Sequence, residues 1–288
     1  MILLENEYVK ASFEPKGAEL KSLFNKKTNL EHLWSGDPAF WGKSSPVLFP
    51  IVGALKDNAY FYKNKRYEMS RHGFARDKVF KTEQISGQEL LFTLESDEET
   101  LLNYPFQFKL CLRYKLEGRS LNCSYEVYNP ATEVLLFSVG GHPAFAVPLQ
   151  KGEAYSEYFL HFNKDENLVY HKIEQNLIDE ETKELPLNDG KLELEHSLFY
   201  DDALVFKSLK SDRISIGNKN NAHGLQFSFE GFPFFGIWSA KDADFVCLEP
   251  WCGIADSIHH HQQLEEKEGI VSLGAGEHWK RCWKVDVF

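Results

Sequence analysis

An all-β fold of mostly antiparallel strands is predicted for this chain, and three observations predict it. Short runs that alternate apolar and polar residues, bounded by turn residues, recur throughout, whereas helical apolar spacing is seldom sustained for three turns. Hydrophobic residues make up 43% of the 288 positions and aromatics 14%, enough to fill a sizeable core. No Pro/Ser/Gly linker, low-complexity block or internal repeat interrupts the chain, so residues 1–288 are expected to form one domain with one or two short helices.

The elements follow in order. YFYKNKRYEM (60–69) reads as a hairpin turning at Lys63-Asn64-Lys65. In SDEETLLNYPF, Ser96 offers an N-cap and the acids after it suit a first turn, which predicts a short helix ending before Pro105. QFKLCLRYKL (107–116) is a long alternating strand. RSLNCSYEVYNP puts Leu121, Cys123, Tyr125 and Val127 on one face and Asn122, Ser124 and Glu126 on the other, and Asn129-Pro130 stops it. The polar stretch 163–196 reads as a hairpin-rich surface excursion with a turn at Asn188-Asp189-Gly190.

Lys and Arg number 32 against 43 Asp and Glu, a formal net charge of −11, and no basic block breaks that average. Nucleic acid and anionic membranes are therefore not expected as partners. The start lacks the basic and apolar regions of a secretion signal, and the apolar stretch VLFPIVGAL is too short to span a bilayer, so a cytoplasmic protein is expected. Cys111, Cys123, Cys247, Cys252 and Cys282 are odd in number and contain no C-x-x-C pair, which points to buried free thiols.

Four segments combine titratable groups with glycine, proline and aromatics, a mixture that suits a ligand cleft: SRHGFARDKVF, SVGGHPAF, LFYDDALVF and CLEPWCGIAD. Singly, each reads equally well as a structural turn. In this order, and together with SPVLFPIVGALKDNAYFYKNKRYEMSRHGFARD (45–77), GFPFFGIWSA (231–240) and KEGIVSLGAGE (267–277), they make the chain resemble the aldose 1-epimerase (galactose mutarotase) family. The resemblance is to its LacX-like branch and covers nearly the whole length.

The resemblance implies a galactose mutarotase-like β supersandwich and an isomerase without a cofactor. Its substrate would be a small-molecule sugar, an aldohexose or an aldose 6-phosphate. By motif, Glu249 corresponds to the family's catalytic carboxylate, His142 and His72 to its two histidines, and Asp201 to the aspartate that grips sugar hydroxyls. Anomer exchange gives these residue types a physical reason: ring opening removes the proton of the anomeric hydroxyl while a proton reaches the ring oxygen, so a base and an acid flank one carbon. Glu249 suits the base and His142 the acid. A free carboxylate titrates near ~4.3 and a free imidazole near ~6.5, so a cationic His142 needs negative charge beside it, which Glu249 would supply. His72 is expected to orient the sugar by hydrogen bonding the ring oxygen or a neighbouring hydroxyl.

Trp238 and Trp251 are candidate platforms for the C–H faces of a sugar and equally candidates for core filling, as are Phe74 and Phe145 beside the histidine motifs. Two departures from the family pattern stand out. Ala54 occupies a position where many relatives carry arginine, with Lys56 two residues on; Arg71 and Arg76, flanking His72, are expected to bind substrate in its place. Asp202 follows Asp201 where many relatives have histidine, and strand alternation points only one of the two into the cleft. His259-His260-His261 reads as a solvated loop. Two other functions stay open from the residues alone: a non-catalytic sugar-binding or sensing protein on the same fold, and a metalloenzyme ligated by His72, His142 and Glu249.

Overall fold

Antiparallel pairing joins the strands into two large sheets, a four-stranded N-terminal one and two two-stranded ones in the computed structural model, which describes residues 1–288. The nine-stranded sheet runs from Lys191–Glu193 through Tyr158–Phe162, Arg213–Asn218, Gly224–Ser228, His278–Val287, Ser120–Tyr128, Lys109–Glu117 and Glu89–Glu95 to Lys81–Ser86. The eight-stranded sheet runs from Leu177–Pro186 through Asn167–Glu174, Leu204–Phe206, Phe234–Trp238, Phe245–Cys252 and Val139–Gly141 to Val47–Leu48, with Ala144–Ala146 also pairing to Phe245–Cys252. Side chains from the two sheets meet in one cluster of 63 buried residues, for example where Phe227 of the larger sheet packs against Phe235 of the other. This is the mostly antiparallel all-β architecture expected.

Local chemistry accounts for most elements. Leu121, Cys123, Tyr125 and Val127 point into the core as the alternation predicts. The opposite face is less wet than expected: Glu126 is buried too, because Arg113 and Lys280 reach its Oε1 at 3.0 and 3.2 Å. The hairpin of Ala59–Tyr62 and Lys65–Glu68 turns through Lys63 and Asn64, both left-handed with φ of 49° and 62°, as a two-residue turn between twisted strands requires. The excursion of residues 163–196 supplies the edge hairpin Asn167–Glu174/Leu177–Pro186 and the Asn188-Asp189-Gly190 turn.

The helix is Glu98–Asn103, and its cap is Asp97 rather than Ser96. Asp97 accepts from the Thr100 backbone N–H at 2.7 Å while the Thr100 hydroxyl accepts from the Asp97 N–H at 2.9 Å, a reciprocal box; Ser96 and Glu99 have the residue types for another one position earlier, but Ser96 is engaged elsewhere. Ser96 stays in the strand ladder, its N–H donating to Phe108 O at 3.0 Å. No helix is long and apolar enough to cross a membrane.

His32 is fully enclosed, and burial pushes its imidazole down to about 4. Above the unfolded value near ~6.5 both states are neutral there. As pH falls the unfolded chain takes up the proton first, so stability declines from about 6.5 to about 4, by about 3 kcal/mol from this one group. Urea titrations of wild type and His32→Leu at pH 7 and pH 4.5 measure it: the variant is expected to lose clearly less stability on acidification, and an unchanged loss would put the acid sensitivity elsewhere.

Candidate active site

Strand Phe245–Cys252 is buried at every position, yet it carries Glu249. Its register pairs Glu249 with Gly236, Cys247 with Trp238 and Trp251 with both Phe234 and Gly140, so Cys247, Glu249 and Trp251 share one face of the sheet. Trp251 lies flat across its glycine neighbours. A Cβ on Gly140 or Gly236 would come within 2.6 or 2.4 Å of the indole, and this close approach is what demands glycine at both positions. A Cβ on Gly141 would come within 2.5 Å of the Tyr125 hydroxyl, which accepts from Trp283 Nε1 at 2.8 Å. The Gly-Gly pair therefore lets the chain sink onto the core just before it presents His142 over Glu249.

All eight residues proposed from the sequence, Glu249, His142, His72, Asp201, Arg71, Arg76, Trp238 and Trp251, line one cleft of about 520 Å³. A second hollow of similar volume beside Lys172 and Lys183 shares only the Asp201–Ala203 segment with it. At the cleft floor His142 Nε2 lies 3.2 Å from Glu249 Oε2, with both side chains buried. The rings of His72 and His142 meet edge to face at 5.8 Å.

The electrostatics alter one expectation. Burial pushes His142 down to about 3, with the Arg71 charge adding to the effect. Burial likewise pushes Glu249 well above the usual carboxylate range; the charge of Asp202 reinforces this and Arg71 opposes it. The empty pair thus favours a neutral imidazole beside a protonated carboxyl, not the cation beside an anion expected from free-residue values.

His72 adopts φ of 69°, an uncommon conformation for a residue with a side chain, and is held there by Gly53. Its N–H donates to Gly53 O at 2.9 Å, and the Gly53 N–H donates to His72 Nδ1 at 3.1 Å. Arg71 Nε sits 3.1 Å from the other ring nitrogen, Nε2. A neutral imidazole accepts at only one nitrogen. Burial, followed by the charge of Arg71, holds His72 well below its ordinary value, so the ring is neutral. The Gly53 N–H and the Arg71 Nε–H are therefore both aimed at a ring that can accept only one of them, and because the backbone donor at Nδ1 is fixed while the guanidinium can swing away, Nε2 is the nitrogen left to carry the hydrogen when Arg71 moves. A ligand oxygen that displaces the guanidinium would accept from both.

The two aspartates separate clearly. Asp201 is 91% exposed at its side chain and lies 3.6 Å from Lys183 Nζ. Asp202, at φ of 132° and with Oδ1 accepting from the Ala203 N–H at 2.7 Å, is the one whose charge reaches Glu249. Lys56 does not replace the missing arginine, because its Nζ turns away to Ile258 O at 2.8 Å. Phe145 and Phe74 belong to the core packing rather than to the cleft. Of the three consecutive histidines, His259 and His261 are exposed, but His260 turns inward to lie 3.3 Å from Asp256 Oδ2. The cysteines are free, and four of the five are buried.

Trp41 is the residue that sequence reasoning missed. It stacks on His142 with centroids 4.8 Å apart and meets Trp238 edge to face at 5.5 Å, closing one wall of the cleft. A tryptophan among the turn residues of DPAFWGKSSP was the available signal.

The ligand set His72, His142 and Glu249 does not form. The groups that converge are His142, Cys247 and Glu249, with ligand atoms all within 4.8 Å of one another. Burial pushes the Cys247 thiol well above its ordinary value, and Glu249 adds to the shift. Both acids would have to lose protons before holding a cation, next to two arginines, so this donor set fits a metal ion poorly.

Comparisons with known proteins show the family and the fold. Residues 1–280 match the family described as aldose 1-epimerase. The plasmid and chromosomal LacX proteins of Lactococcus lactis subsp. lactis are each 34% identical over 296 aligned residues, covering 99% of both chains. A galactose mutarotase related enzyme from Lactobacillus acidophilus superposes with a TM-score of 0.95 at 33% identity, covering 100% of this chain and 97% of that one. A galactose mutarotase-like protein from Lactobacillus casei gives 0.93 at 30% identity, with 100% of both chains covered. With its buried carboxyl and imidazole on the floor of an aromatic cleft, this chain belongs to the aldose 1-epimerase family.

Proposed function

We propose that this protein is an active aldose 1-epimerase that interconverts the α and β anomers of an aldohexose or related sugar, with Glu249 and His142 as its acid/base pair. The observation that carries the reading is their 3.2 Å approach, buried, at the floor of a cleft walled by Trp41, Trp238 and Trp251. Ring opening needs one group that takes a proton and one that gives a proton, both at the same carbon. A pair holding a single proton between two sites meets that need, because one site empties as the other fills.

Burial favours the protonated form of Glu249 and the neutral form of His142. Sugar hydroxyls that donate to the carboxylate favour its charged form, so binding moves the proton to His142. Glu249 then accepts from the anomeric hydroxyl while His142 donates to the ring oxygen. After rotation about the bond between the first two carbons, the same transfers in reverse close the ring on the other face and restore the pair. His72 Nε2–H and the Arg71 guanidinium supply donors to sugar oxygens, and Asp202, with Asp201 on the rim, supplies acceptors. The tryptophans stack on the apolar C–H faces.

The competing reading, a sugar-binding or sensing protein without turnover, makes the opposite forecast in one assay. Anomer exchange followed by NMR saturation transfer or polarimetry, against a panel of aldoses and aldose 6-phosphates, is expected to exceed the spontaneous rate for at least one sugar. No acceleration together with measurable binding would favour the sensing role.

Glu249→Gln keeps the size of the side chain but cannot accept the anomeric proton. Its exchange rate is expected to fall by ~10²–10⁴-fold, while affinity by titration calorimetry changes by less than about tenfold, or ~1.4 kcal/mol. Near wild-type exchange would remove Glu249 from the base role; loss of binding alone would recast it as a clamp.

The pH profile has a definite sign. Because burial holds His142 at about 3, the pair does not take up a second proton where a free histidine would. With spontaneous exchange subtracted, kcat/KM for a neutral aldose is expected to show no decline as pH falls from about 7.5 to about 5.5. An acid limb with a midpoint near ~6.5 would show that an ordinary, solvated histidine governs turnover.

A further inference from the structure

Asp256, Lys267 and the loop through Ala54 and Lys56, which have no part in the proton transfers, meet behind the cleft. Asp256 and Lys267 are both buried, and Lys267 Nζ donates to Asp256 Oδ1 at 2.7 Å and to Ile254 O at 2.6 Å. The Lys56 N–H donates to Asp256 Oδ2 at 2.9 Å. Burial works against the charge on Asp256, yet His260 and Lys267 hold its carboxyl down to about 2. An ion pair so deeply placed adds little to stability by itself, and fixing a single arrangement is the best-attested use of such pairs.

What Asp256 fixes can be traced along two arms. In the first, its N–H donates to Ala54 O at 2.9 Å, beside Gly53, which grips both the backbone and Nδ1 of His72. Gly53 has no room to adjust: at φ of +73°, a Cβ there would come 2.4 Å from Ala255 Cβ, so movement of the Ala255–Asp256 segment passes directly into it. In the second, the Asp256 carbonyl accepts from the Ile178 N–H at 2.9 Å. Two residues before Ile178, Asn176 Oδ1 accepts from Arg71 Nη1 at 2.8 Å, which parks the guanidinium against His72 Nε2. The contacts on both nitrogens of one ring thus lead back to the main chain of Asp256, whose carboxylate is fixed in turn by Lys267 Nζ and the Lys56 N–H.

We propose that the Asp256–Lys267 pair is a positioning device for His72, setting which ring nitrogen carries the hydrogen and where Arg71 waits. The proposal rests on the reading of the cleft as a site of sugar anomerisation and adds to it two positioning residues that touch no substrate.

Long-range 1H–15N NMR of the ring nitrogens tests it, with the His72 signals identified by their loss in His72→Asn. Wild type is expected to show one tautomer, Nδ1 bare and Nε2 protonated; an Nδ1–H ring would overturn the proposal at once. Asp256→Asn keeps shape while removing the charge, and Asp256→Asn/Lys267→Met leaves no unpaired charge should the single change fold poorly. In whichever variant is folded, the ring is expected to show a mixture of tautomers. Its kcat is expected to fall roughly tenfold to a hundredfold through misplacement of a group at the reacting centre, with KM within about twofold of wild type. A folded variant with the wild-type ring spectrum would show that the pair serves stability alone, whatever happens to rate. Should wild type accelerate no sugar in the panel, the catalytic reading fails, while the ring spectra still decide whether Asp256 and Lys267 set the state of His72.

Discussion

A carboxyl group in the middle of a strand buried on both faces is the constraint on which the rest of the cleft depends. An ion at such a place loses several kcal/mol of solvation unless something compensates, and each neighbour of Glu249 bears on that loss. His142 Nε2 stands 3.2 Å from Glu249 Oε2. Arg71 favours its charged form and Asp202 opposes it, so the balance is close enough for a bound sugar to shift it. The glycines on either side exist for the same region: they let the Trp251 indole lie against the sheet instead of filling the space a ligand would need.

Antiparallel register does the positioning. Glu249 reaches the cleft because it pairs with Gly236, two residues from Trp238, while Gly140 pairs with Trp251 just before the chain delivers His142. A slip of one residue would turn Glu249 into the core and Leu248 into the cleft. The sheet therefore carries Glu249 and ends just before His142, and the surrounding loops carry His72, Arg71 and Asp202. Two of the thirteen non-glycine residues with positive φ, His72 and Asp202, lie in these loops.

Burial has opposite consequences at two histidines of this chain. At His142 it favours a neutral imidazole beside a carboxyl whose protonated form burial also favours. At His32, far from any acid/base partner in the cleft, the same physics yields only sensitivity to acid. What separates them is the neighbour: a titrating group within hydrogen-bonding range turns a desolvation cost into a difference that chemistry can use.

The sequence by itself determined the fold class, because strand alternation and turn chemistry are local: the faces of Ser120–Tyr128 and the Lys63-Asn64 turn are readable from neighbouring residues. It also determined which segments gather at the cleft, through the motifs around His72, His142, Asp201 and Glu249. The helix cap was displaced by one residue because Ser96 and Asp97 have similar local preferences, and only the strand pairing of Ser96 separates them. Tertiary structure alone decided that Trp41 walls the cleft, that Asp202 is the aspartate near Glu249, and that Lys56 turns away from it. It also decided where protons rest. Protonation depends on burial and on charges brought together through space, and the contacts that set it here join residues as distant as Lys56 and Asp256, 200 positions apart in a chain whose local patterns extend over fewer than ten.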